Sequence, residues 1–442
     1  MKKAVWRAAC IALALVSSVA FADDVPLFVP QWLGAQYTLV DQHQSSLHSP
    51  YSSAMSLRAG GDTERSHTFG GYFGVALPAH FQFYFDLEMF KGEAVSSGTG
   101  LGGFSNGDVV HSGGGSLSKT VYVARRYLRW TLPLGDETRP TERAQDQLPD
   151  QEPTHRTEIK LGTMAVSDDF DKNRYADSAR TQFLNWSLLN NTAWDFAADT
   201  RGYTEGIVMA WINPAWSLRY GVYRMPTEAN GTQLVNSLRL ARGEQLELAL
   251  QPQPDGAALR LLAFRNVAGM GIYREAIEYA MVHATVPNIQ ADEQPGRHKY
   301  GFTINGELPL GDRGDTGLFT RAGWNDGHTE SFTYTEVDRT LSAGFQLSGT
   351  HWRRPDDHVS VAIAIDALSS DHRDYLALGG RGFVLGDGGI DYAQERIVEA
   401  YYSFVPFKHV TLSPDIQLIQ HPGYNRARGP VTFASLRAHV EF

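Results

Sequence analysis

The chain has a single cysteine, Cys10, and this residue lies inside a predicted leader sequence, residues 1–22. The leader has a basic start, a short apolar stretch and the cleavage site Ala20-Phe21-Ala22. The residues before Cys10 do not resemble a lipidation signal. We therefore expect an exported mature domain, residues 23–442, that forms no disulfide and is stabilised by packing and hydrogen bonds.

Long apolar runs and excess basic charge are also missing. No segment after the leader approaches the roughly 18 apolar residues that a membrane-spanning helix needs. Three of the 39 Lys and Arg residues lie in the leader, so 36 basic residues face 49 acidic ones in the mature chain, a net charge of −13. This balance argues against a nucleic-acid partner and against a polybasic membrane anchor.

Glycine and aromatic residues are abundant, with 43 Gly, 9 Trp, 19 Tyr and 22 Phe. The last twelve residues, 431–442, alternate: from Phe442 back to Ala434 every second residue is apolar, and Arg437 and His439 are among those between. Because side chains in a strand point alternately to opposite faces, one face of this strand is apolar and the other is charged. A last strand of this kind is typical of a transmembrane barrel.

The same alternation recurs along the chain. It predicts strands at 69–77, 81–88, 121–130, 158–165, 205–213, 216–224, 245–250, 258–266, 300–308, 316–324, 340–349, 359–366, 397–405, 410–418 and 431–442. Gly- and Ser-rich residues 92–116 and charged, Pro-containing residues 136–155 are predicted loops. Residues 176–200 fit strand periodicity poorly, and we expect short helices there, folded inward. No domain boundary is visible.

Alternation is also typical of soluble β-sandwiches. The export signal, the cysteine-free mature chain and the alternation up to Phe442 favour a lipid-facing barrel, in which apolar faces point outward and polar faces line a wet lumen. We therefore predict an all-β fold: a transmembrane antiparallel barrel of about 16 strands, with 18 possible. Inward-folded loops and short helices from 92–116 and 176–200 are expected to constrict its lumen.

Several motifs that are associated with catalysis or metal binding lack the structural context that they require. Gly98, Gly100 and Gly103 match a dinucleotide fingerprint, and Ser105 lies in a G-x-S-x-G string, but no surrounding α/β pattern supports either. Asp168, Asp169, Asp171 and Asn173 could offer oxygen ligands to calcium, although the Gly and Glu of an EF-hand are missing. Asp169 and Asp171 therefore remain weak calcium candidates, and we expect neither a metal site nor a cofactor.

Polar residues that should face the lumen combine both charges with aromatic rings. They include Asp86, Glu88, Arg125, Tyr127, Arg129, Glu399, Tyr401, Asp415, Gln417 and Arg437. Such a lining suits neutral sugars, whose hydroxyl groups both donate and accept hydrogen bonds while an aromatic ring covers the C–H face. A channel also needs several weak contacts rather than one tight site. The same charges could instead only solvate the lumen and brace the wall.

Three segments resemble the bacterial carbohydrate-selective, OprB-type porins. They are R-T-Q-F-L-N-W-S-L-L-N-N-T-A-W-D-F-A-A-D-T-R-G-Y at 180–203, Gly386-Asp387-Gly388 with the residues to Tyr402, and L-S-P-D-I-Q-L-I-Q-H-P-G-Y-N-R-A-R-G-P-V at 412–431. The sequence departs from the family pattern at His421-Pro422, where Asn-Pro is expected, and at Phe196-Ala197-Ala198, where Tyr-Pro-Ala is usual. These departures bear on sugar preference rather than on the fold.

The resemblance implies an outer-membrane channel of about sixteen strands that passes sugars by diffusion through an eyelet of Arg, Glu and aromatic residues. The matched segments add candidates for contact with sugar to those from the strand pattern: Arg180, Trp186, Trp194, Asp195, Arg201, Glu395 and Arg428. Expected partners are small sugars, outer-membrane lipids and the barrel-assembly machinery, which would recognise the strand ending at Phe442. The barrel is expected to be a monomer or a homotrimer.

Other functions are compatible with parts of the pattern. A porin for another small solute or a polysaccharide exporter would share the barrel, although an exporter of a polyanion favours a continuous arginine ladder. A soluble, exported β-rich glycoside hydrolase could use Asp86 and Glu88, or Glu395 and Glu399, as an acid–base pair. Of these functions, the sequence favours a non-enzymatic sugar porin.

Overall fold

The computed structural model describes residues 26–109, 117 and 119–442. The predicted leader lies outside these residues, as do residues 110–116 of the predicted Gly/Ser loop and residue 118. The strands are β1 (Pro30–Gln44), β2 (Asp62–Leu77), β3 (Phe81–Gly92), β4 (Tyr122–Pro133), β5 (Thr138–Thr141), β6 (Asp150–Pro153), β7 (Arg156–Met164), β8 (Thr204–Asn213), β9 (Trp216–Arg224), β10 (Arg242–Leu250), β11 (Ala258–Met270), β12 (Gln294–Gly311), β13 (Thr316–Asn325), β14 (Arg339–Ser348), β15 (His358–Ala367), β16 (Glu395–Phe407), β17 (Val410–Gln420) and β18 (Val431–Glu441).

Sixteen of these strands form one closed antiparallel barrel, as the sequence predicted. Each strand pairs with its neighbours in the chain, except that β4 pairs with β7, and β5 and β6 form a separate two-stranded hairpin. The barrel closes where β1 pairs with β18, in a register that sets Thr38 opposite His439 and Val40 opposite Arg437. Closure gives every strand two hydrogen-bonded neighbours, so no edge is left unpaired within a membrane.

The two faces of the wall match the predicted alternation. On β18, Leu436 is 53% exposed on the outer face, whereas Arg437 and His439 are buried inside the barrel. The outer faces of β12, β14 and β15 show the same pattern, with Phe302, Leu341 and Ile363 about half exposed. The apolar side therefore points outward, which is the arrangement of a lipid-facing barrel and the reverse of a soluble sandwich.

Strand β1 is the barrel strand that the sequence patterns did not predict. Its alternation is blurred in two ways. A register shift between Trp32 and Gly34 in its pairing with β2 marks a β-bulge, which changes the face on which the following residues lie. Further along, the inward-facing residue Val40 is apolar, while Asp41 next to it points outward. The sequence of β1 therefore lacks a clean period of two.

The two ends of the barrel differ. At one end, which also holds the start of β1 and the end of β18, most connections are short; we call this the short-turn end. The connections at the other, long-loop end carry the helices α1 (Trp186–Leu189), α2 (Tyr273–His283) and α3 (Ser370–Ala377). Short 3₁₀ segments occur at Val95–Gly98, Val166–Asp168, Gln290–Asp292, Asp312–Gly314, Gly349–Trp352 and Pro422–Tyr424.

Within the described residues, no helix has both the length and the apolar character needed to span a membrane.

Candidate functional site

The connection between β7 and β8, residues 165–203, folds from the long-loop end into the barrel; we call it the inward loop. Most of its residues are buried, including the whole of α1. Polar groups of the wall hold its backbone. Glu399 of β16 accepts hydrogen bonds from the amides of Leu184 (2.5 Å) and Asn185 (2.9 Å), and Arg437 of β18 donates to the carbonyl of Ala179 (2.7 Å). These contacts satisfy backbone groups that would otherwise be buried without partners.

A second loop, residues 93–109, packs beside the inward loop. Its Ser105 carbonyl accepts hydrogen bonds from the amides of Gln42 (3.1 Å) and Gln417 (2.8 Å) of the wall. The Gly107 amide donates to the Leu184 carbonyl at 2.7 Å, which joins the two loops to each other. Residues of both loops line a polar cavity inside the barrel.

This polar cavity has a volume of about 650 Å³, within the range of about 300–1,000 Å³ that is typical of small-ligand sites. Its lining carries both signs of charge and several rings. Among the described residues, the cations are Arg125, Lys160, Lys172, Arg180 and Arg201, and the carboxylates are Glu88, Asp108, Asp146, Asp168 and Asp177. The aromatic side chains are Phe90, Tyr122, Tyr127, Trp186, Phe196, Tyr203 and Tyr334.

Glu88 of β3 ties the wall to the inward loop. Its carboxylate accepts hydrogen bonds from Arg180 Nη2 (2.9 Å), Tyr122 Oη (3.1 Å) and Tyr203 Oη (2.5 Å). Arg180 also donates to Asp108 of the second loop at 3.0 Å. Burial opposes the charge of Arg180, but the two carboxylates outweigh this effect and raise its pKa well above the usual value. Arg180 is therefore a permanently charged donor in the cavity.

Arg125 of β4 lies between three carboxylates. It donates two hydrogen bonds of 2.7 Å to Asp168, and it lies 3.3 Å from Asp86 and 3.4 Å from Asp146. Burial raises the pKa of Asp168, but the Arg125 guanidinium outweighs burial and holds that pKa below its usual range. The paired fork fixes the orientation of Arg125, as bidentate Arg–carboxylate geometry does elsewhere.

Aromatic rings form a connected series along the inward loop. The ring centroids of Trp194 and Phe196 are 4.8 Å apart, those of Phe196 and Tyr334 are 5.9 Å apart, and those of Tyr334 and Trp186 are 4.9 Å apart. Separately, the guanidinium of Arg201 lies 4.0 Å from the centroid of the Tyr122 ring. Flat apolar faces and charge-bearing donors are thus available within one cavity.

The structure divides the sixteen predicted sugar-contact residues into two groups. Those that line the polar cavity are Glu88, Arg125, Tyr127, Arg180, Trp186 and Arg201. Those that are absent from its lining are Asp86, Arg129, Trp194, Asp195, Glu395, Glu399, Asp415, Gln417, Arg428 and Arg437. The side chains of this second group point inward or belong to the loops, and their contact with sugar stays a prediction.

Several residues of this second group make hydrogen bonds or ion pairs that hold the loops. Glu395 accepts hydrogen bonds from the amides of Gly102 (3.1 Å) and Gly423 (2.7 Å). Asp195 accepts from the Phe332 and Thr333 amides, Trp194 donates to Gln245, and Arg428 pairs with Asp387. Gln417 contacts Asp415, and Arg129 pairs with Glu152 and Glu158. Glu395 and Glu399, one of the two acid–base pairs considered from the sequence, thus both accept hydrogen bonds from backbone amides of packed loops.

Sequence patterns missed several lining residues. Tyr122 has the wrong parity for the inner face of β4, but a bulge in the β3–β4 pairing, between Asp86 and Leu87, turns it inward. Lys172, Asp177 and Tyr334 come from loops, where no periodicity reports orientation. Tyr203 lies at the end of the segment 180–203 that resembled the porin family, which was a usable signal.

Ser105 of the G-x-S-x-G string and the calcium candidates Asp169 and Asp171 make hydrogen bonds or ion pairs with other residues of the fold. Ser105 Oγ donates to Gln42 at 2.9 Å, so this serine is part of the packing of the second loop. Of the weak calcium candidates, Asp169 pairs with Lys160 at 2.7 Å and Asp171 with Arg321 at 3.0 Å. Across the described ranges, no group of three or more His, Cys, Asp or Glu side chains is arranged to hold a metal ion.

Comparisons with known proteins agree with this architecture. The family model described as carbohydrate-selective porin, OprB family, matches residues 77–442. The high-pH structure of Pseudomonas putida OprB is similar, with a TM-score of 0.68, 16% identity, and coverage of 93% of this chain and 94% of that chain. The outer membrane channel DcaP of Acinetobacter baumannii has a TM-score of 0.50 and 8% identity, covering 96% and 100%. No curated protein matches the chain.

Proposed function

This chain belongs to the carbohydrate-selective porin family OprB, and we propose that its sugars cross the barrel through the polar cavity. As a member of this family it is a sugar porin of the Gram-negative outer membrane. The predicted family, the barrel and the sugar-porin function are therefore confirmed. In that membrane the long-loop end faces the outside and the short-turn end faces the periplasm, as is general for bacterial barrels.

The composition of the cavity favours neutral, hydroxyl-rich solutes. Five cations and five carboxylates are mixed in its lining, so neither sign forms the continuous ladder that a polyanion would need. Each charged group can replace water on a sugar hydroxyl, and most are already oriented by a partner, as Arg125 is by Asp168. Several such contacts of moderate strength allow a sugar both to enter and to leave.

One observation carries this proposal: the ring series Trp186, Tyr334 and Phe196 borders the same cavity as Arg125, Arg180 and Arg201. A sugar has polar edges and apolar C–H faces, so it matches a surface of this kind, whereas a simple ion does not need the rings. Phe196 is also one of the departures from the family pattern. We infer that it adjusts which sugar is preferred.

A direct test is to reconstitute the protein in planar bilayers and measure how added glucose or a disaccharide reduces the ion current. We expect a saturable reduction for the wild type. Trp186→Ala should weaken it about three- to tenfold, because stacking on an aromatic ring contributes about 0.5–1.5 kcal/mol. Trp324→Ala on the outer face is the matched control and should leave it unchanged. A wild-type current that is indifferent to every sugar would overturn the proposal.

We also propose that lipids contact the apolar outer face, and that the barrel-assembly machinery recognises β18. Support comes from the exposed side chains of Leu436 (53%) and Phe442 (43%) at the closure strand. A monomer and a homotrimer are both compatible with such a face. Cross-linking in native outer membranes would distinguish them: products at three times the monomer mass indicate a trimer.

A further inference from the structure

An unusual segment enters the lumen from the periplasmic end. Other connections there range from two residues (214–215) to nine (349–357), whereas β4 and β7 are joined by residues 134–155. This connection contains β5 and β6, which pair with each other and not with the barrel. We call it the lumen hairpin. Short turns are the rule at this end of bacterial barrels. A long, structured insertion there therefore indicates a specific function.

The arms of the lumen hairpin are fixed to the inner wall. Leu148 is 2% exposed, and its amide donates to Tyr84 Oη at 3.2 Å. Further towards the periplasm, Gln82 donates to Asp150 at 3.1 Å, and Glu152 pairs with Arg129 and with Arg156. Contacts therefore hold the hairpin along its length. They identify it as a stationary part of the lumen wall.

The tip of the lumen hairpin, Gln145-Asp146-Gln147, reaches the polar cavity and lines it. Ala144 and Gln147 exchange both backbone hydrogen bonds, at 3.1 and 3.2 Å, which makes the tip a tight turn with Asp146 in the left-handed region (φ 55°). Asp146 lies 3.4 Å from Arg125, and Gln145 donates to Asp86 at 3.2 Å. The tip is thus held against the same arginine that the inward loop contacts from the opposite end of the barrel.

We propose that Gln145 and Gln147 form a sugar-binding subsite on the periplasmic side of the cavity and help to select which sugars pass. This inference rests on the sugar path proposed above. Each glutamine carries an amide that both donates and accepts, the pairing that a sugar hydroxyl requires. Gln145 donates one amide hydrogen to Asp86 and Gln147 donates one to the Glu142 carbonyl at 2.7 Å. These bonds orient both amides, and each amide has a second N–H and an oxygen with which it can bind a sugar hydroxyl. A sugar moving inward would meet the inward loop first and this tip second.

Substitution of the two glutamines tests the subsite. The double variant Gln145→Ala/Gln147→Ala should weaken the block of ion current by sugar at least fivefold, and its swelling rates in liposomes should differ less between glucose and a disaccharide. The matched control is Gln151→Ala, because Gln151 lies on the same hairpin but is exposed and outside the cavity. Retention of heat-modifiable mobility on gels verifies that each barrel is folded.

The outcomes separate this inference from the sugar path. If the wild type shows no sugar-dependent block, the path itself is wrong. If the wild type responds to sugar and the double variant behaves like Gln151→Ala, the path stands and the subsite is refuted. Weakened block in the double variant alone, with the control unchanged, supports the subsite.

A disulfide tests whether the hairpin is stationary. An ideal Cβ at Gly74 of β2 lies 3.1 Å from Leu148 Cγ, the atom whose place a cysteine sulfur would take. Gly74→Cys/Leu148→Cys can therefore form a disulfide, and the mature chain has no other thiol to interfere. We expect equal sugar flux in the oxidised and reduced forms. If oxidation abolished the flux and reductant restored it, the hairpin would be a moving gate and the fixed subsite would be wrong.

Discussion

Arg125 and Arg129 lie four residues apart on the inner face of β4 and have different surroundings. Arg125 borders the polar cavity and is held by Asp168. Arg129 is covered by the lumen hairpin and pairs with Glu152 and Glu158. From the strand alternation alone, both arginines are predicted to face the lumen. Their local partners place Arg125 at the cavity and Arg129 between the lumen hairpin and β7.

We therefore predict opposite phenotypes for the two alanine variants. Arg125→Ala should weaken the sugar block of ion current about tenfold or more, since a charge-assisted hydrogen bond is worth about 1.5–3 kcal/mol. Arg129→Ala should leave the block unchanged but lower the free energy of unfolding by about 3 kcal/mol, because two buried carboxylates lose a partner. Current titrations and urea unfolding in lipid vesicles measure the two effects. Equal loss of sugar block in both variants would contradict this assignment.

Two loop carboxylates in the cavity titrate at mildly acidic pH. Burial raises the pKa of Asp146 to about 6, against the opposing effect of Arg125. Burial likewise raises the pKa of Asp177 to about 6, against Lys172. As the pH falls through about 6, both carboxylates pass from mostly charged to mostly neutral. The cavity therefore loses negative charge on acidification.

Ion selectivity should follow this titration. Reversal potentials in a KCl gradient are expected to show a lower preference for K⁺ over Cl⁻ at pH 4.5 than at pH 7.5. Asp146→Asn/Asp177→Asn should lower the preference at pH 7.5 and reduce the change with pH. Asp255→Asn, at a 90% exposed side chain outside the cavity, is the control. An unaltered pH response in the double variant would show that other groups cause it.

At the scale of elements, a buried ion cluster joins α2, α3 and the loop between β13 and β14. His372 of α3 lies 3.1 Å from Asp338 and 3.7 Å from Glu336, and its ring stacks on Tyr273 of α2 at 4.4 Å. Burial lowers the pKa of His372, but the two carboxylates outweigh burial and raise it to about 9. The charged histidine thus holds three outer segments together at neutral pH.

The contact between α2, α3 and the loop between β13 and β14 should therefore become less stable at alkaline pH. Because the folded-state pKa of His372 lies above its unfolded value, its contribution is complete below about pH 6.5 and is lost as pH rises through 9. We expect trypsin to cleave the loops faster at pH 9.5 than at pH 7.5, relative to an unfolded substrate. His372→Gln should be equally sensitive at both pH values. A variant that kept the wild-type pH dependence would rule out this histidine.

At the scale of the whole molecule, the barrel is closed by the pairing of β1 with β18. Ala35 and Phe442 exchange backbone hydrogen bonds of 2.9 and 3.2 Å where β1 meets β18. Gly34 precedes this contact with φ 156°, and a Cβ there would lie 2.4 Å from the Phe442 carbonyl oxygen. That oxygen belongs to the backbone and cannot rotate away, so only glycine fits without displacing the closing strand.

Gly34→Ala should consequently destabilise the closed barrel by about 1–3 kcal/mol, the usual magnitude of local backbone strain. The measurement is the temperature at which the folded band disappears in gel electrophoresis. Gly71→Ala is the matched control, because a Cβ at Gly71 meets its nearest atom, on Trp32, at an ordinary 3.6 Å. Equal temperatures for the two variants would show that the seam tolerates a methyl group.

The sequence by itself determined the barrel, its inner and outer faces and its family. Alternation with a period of two is a local property, so it is legible at β18 without any knowledge of partners. It failed where the backbone leaves that period: at the bulge of β1 near Gly34, and at the β3–β4 bulge that turns Tyr122 inward.

Only the tertiary structure decided which inward-facing residues border the cavity. Glu88 and Glu399 have the same chemistry and both point inward, yet Glu88 borders the cavity and Glu399 is covered by the backbone of the inward loop. That difference depends on where a loop of the chain folds relative to strands far away in sequence. The periodicity of a strand reports which face a residue is on, but carries no record of what later fills the space in front of it.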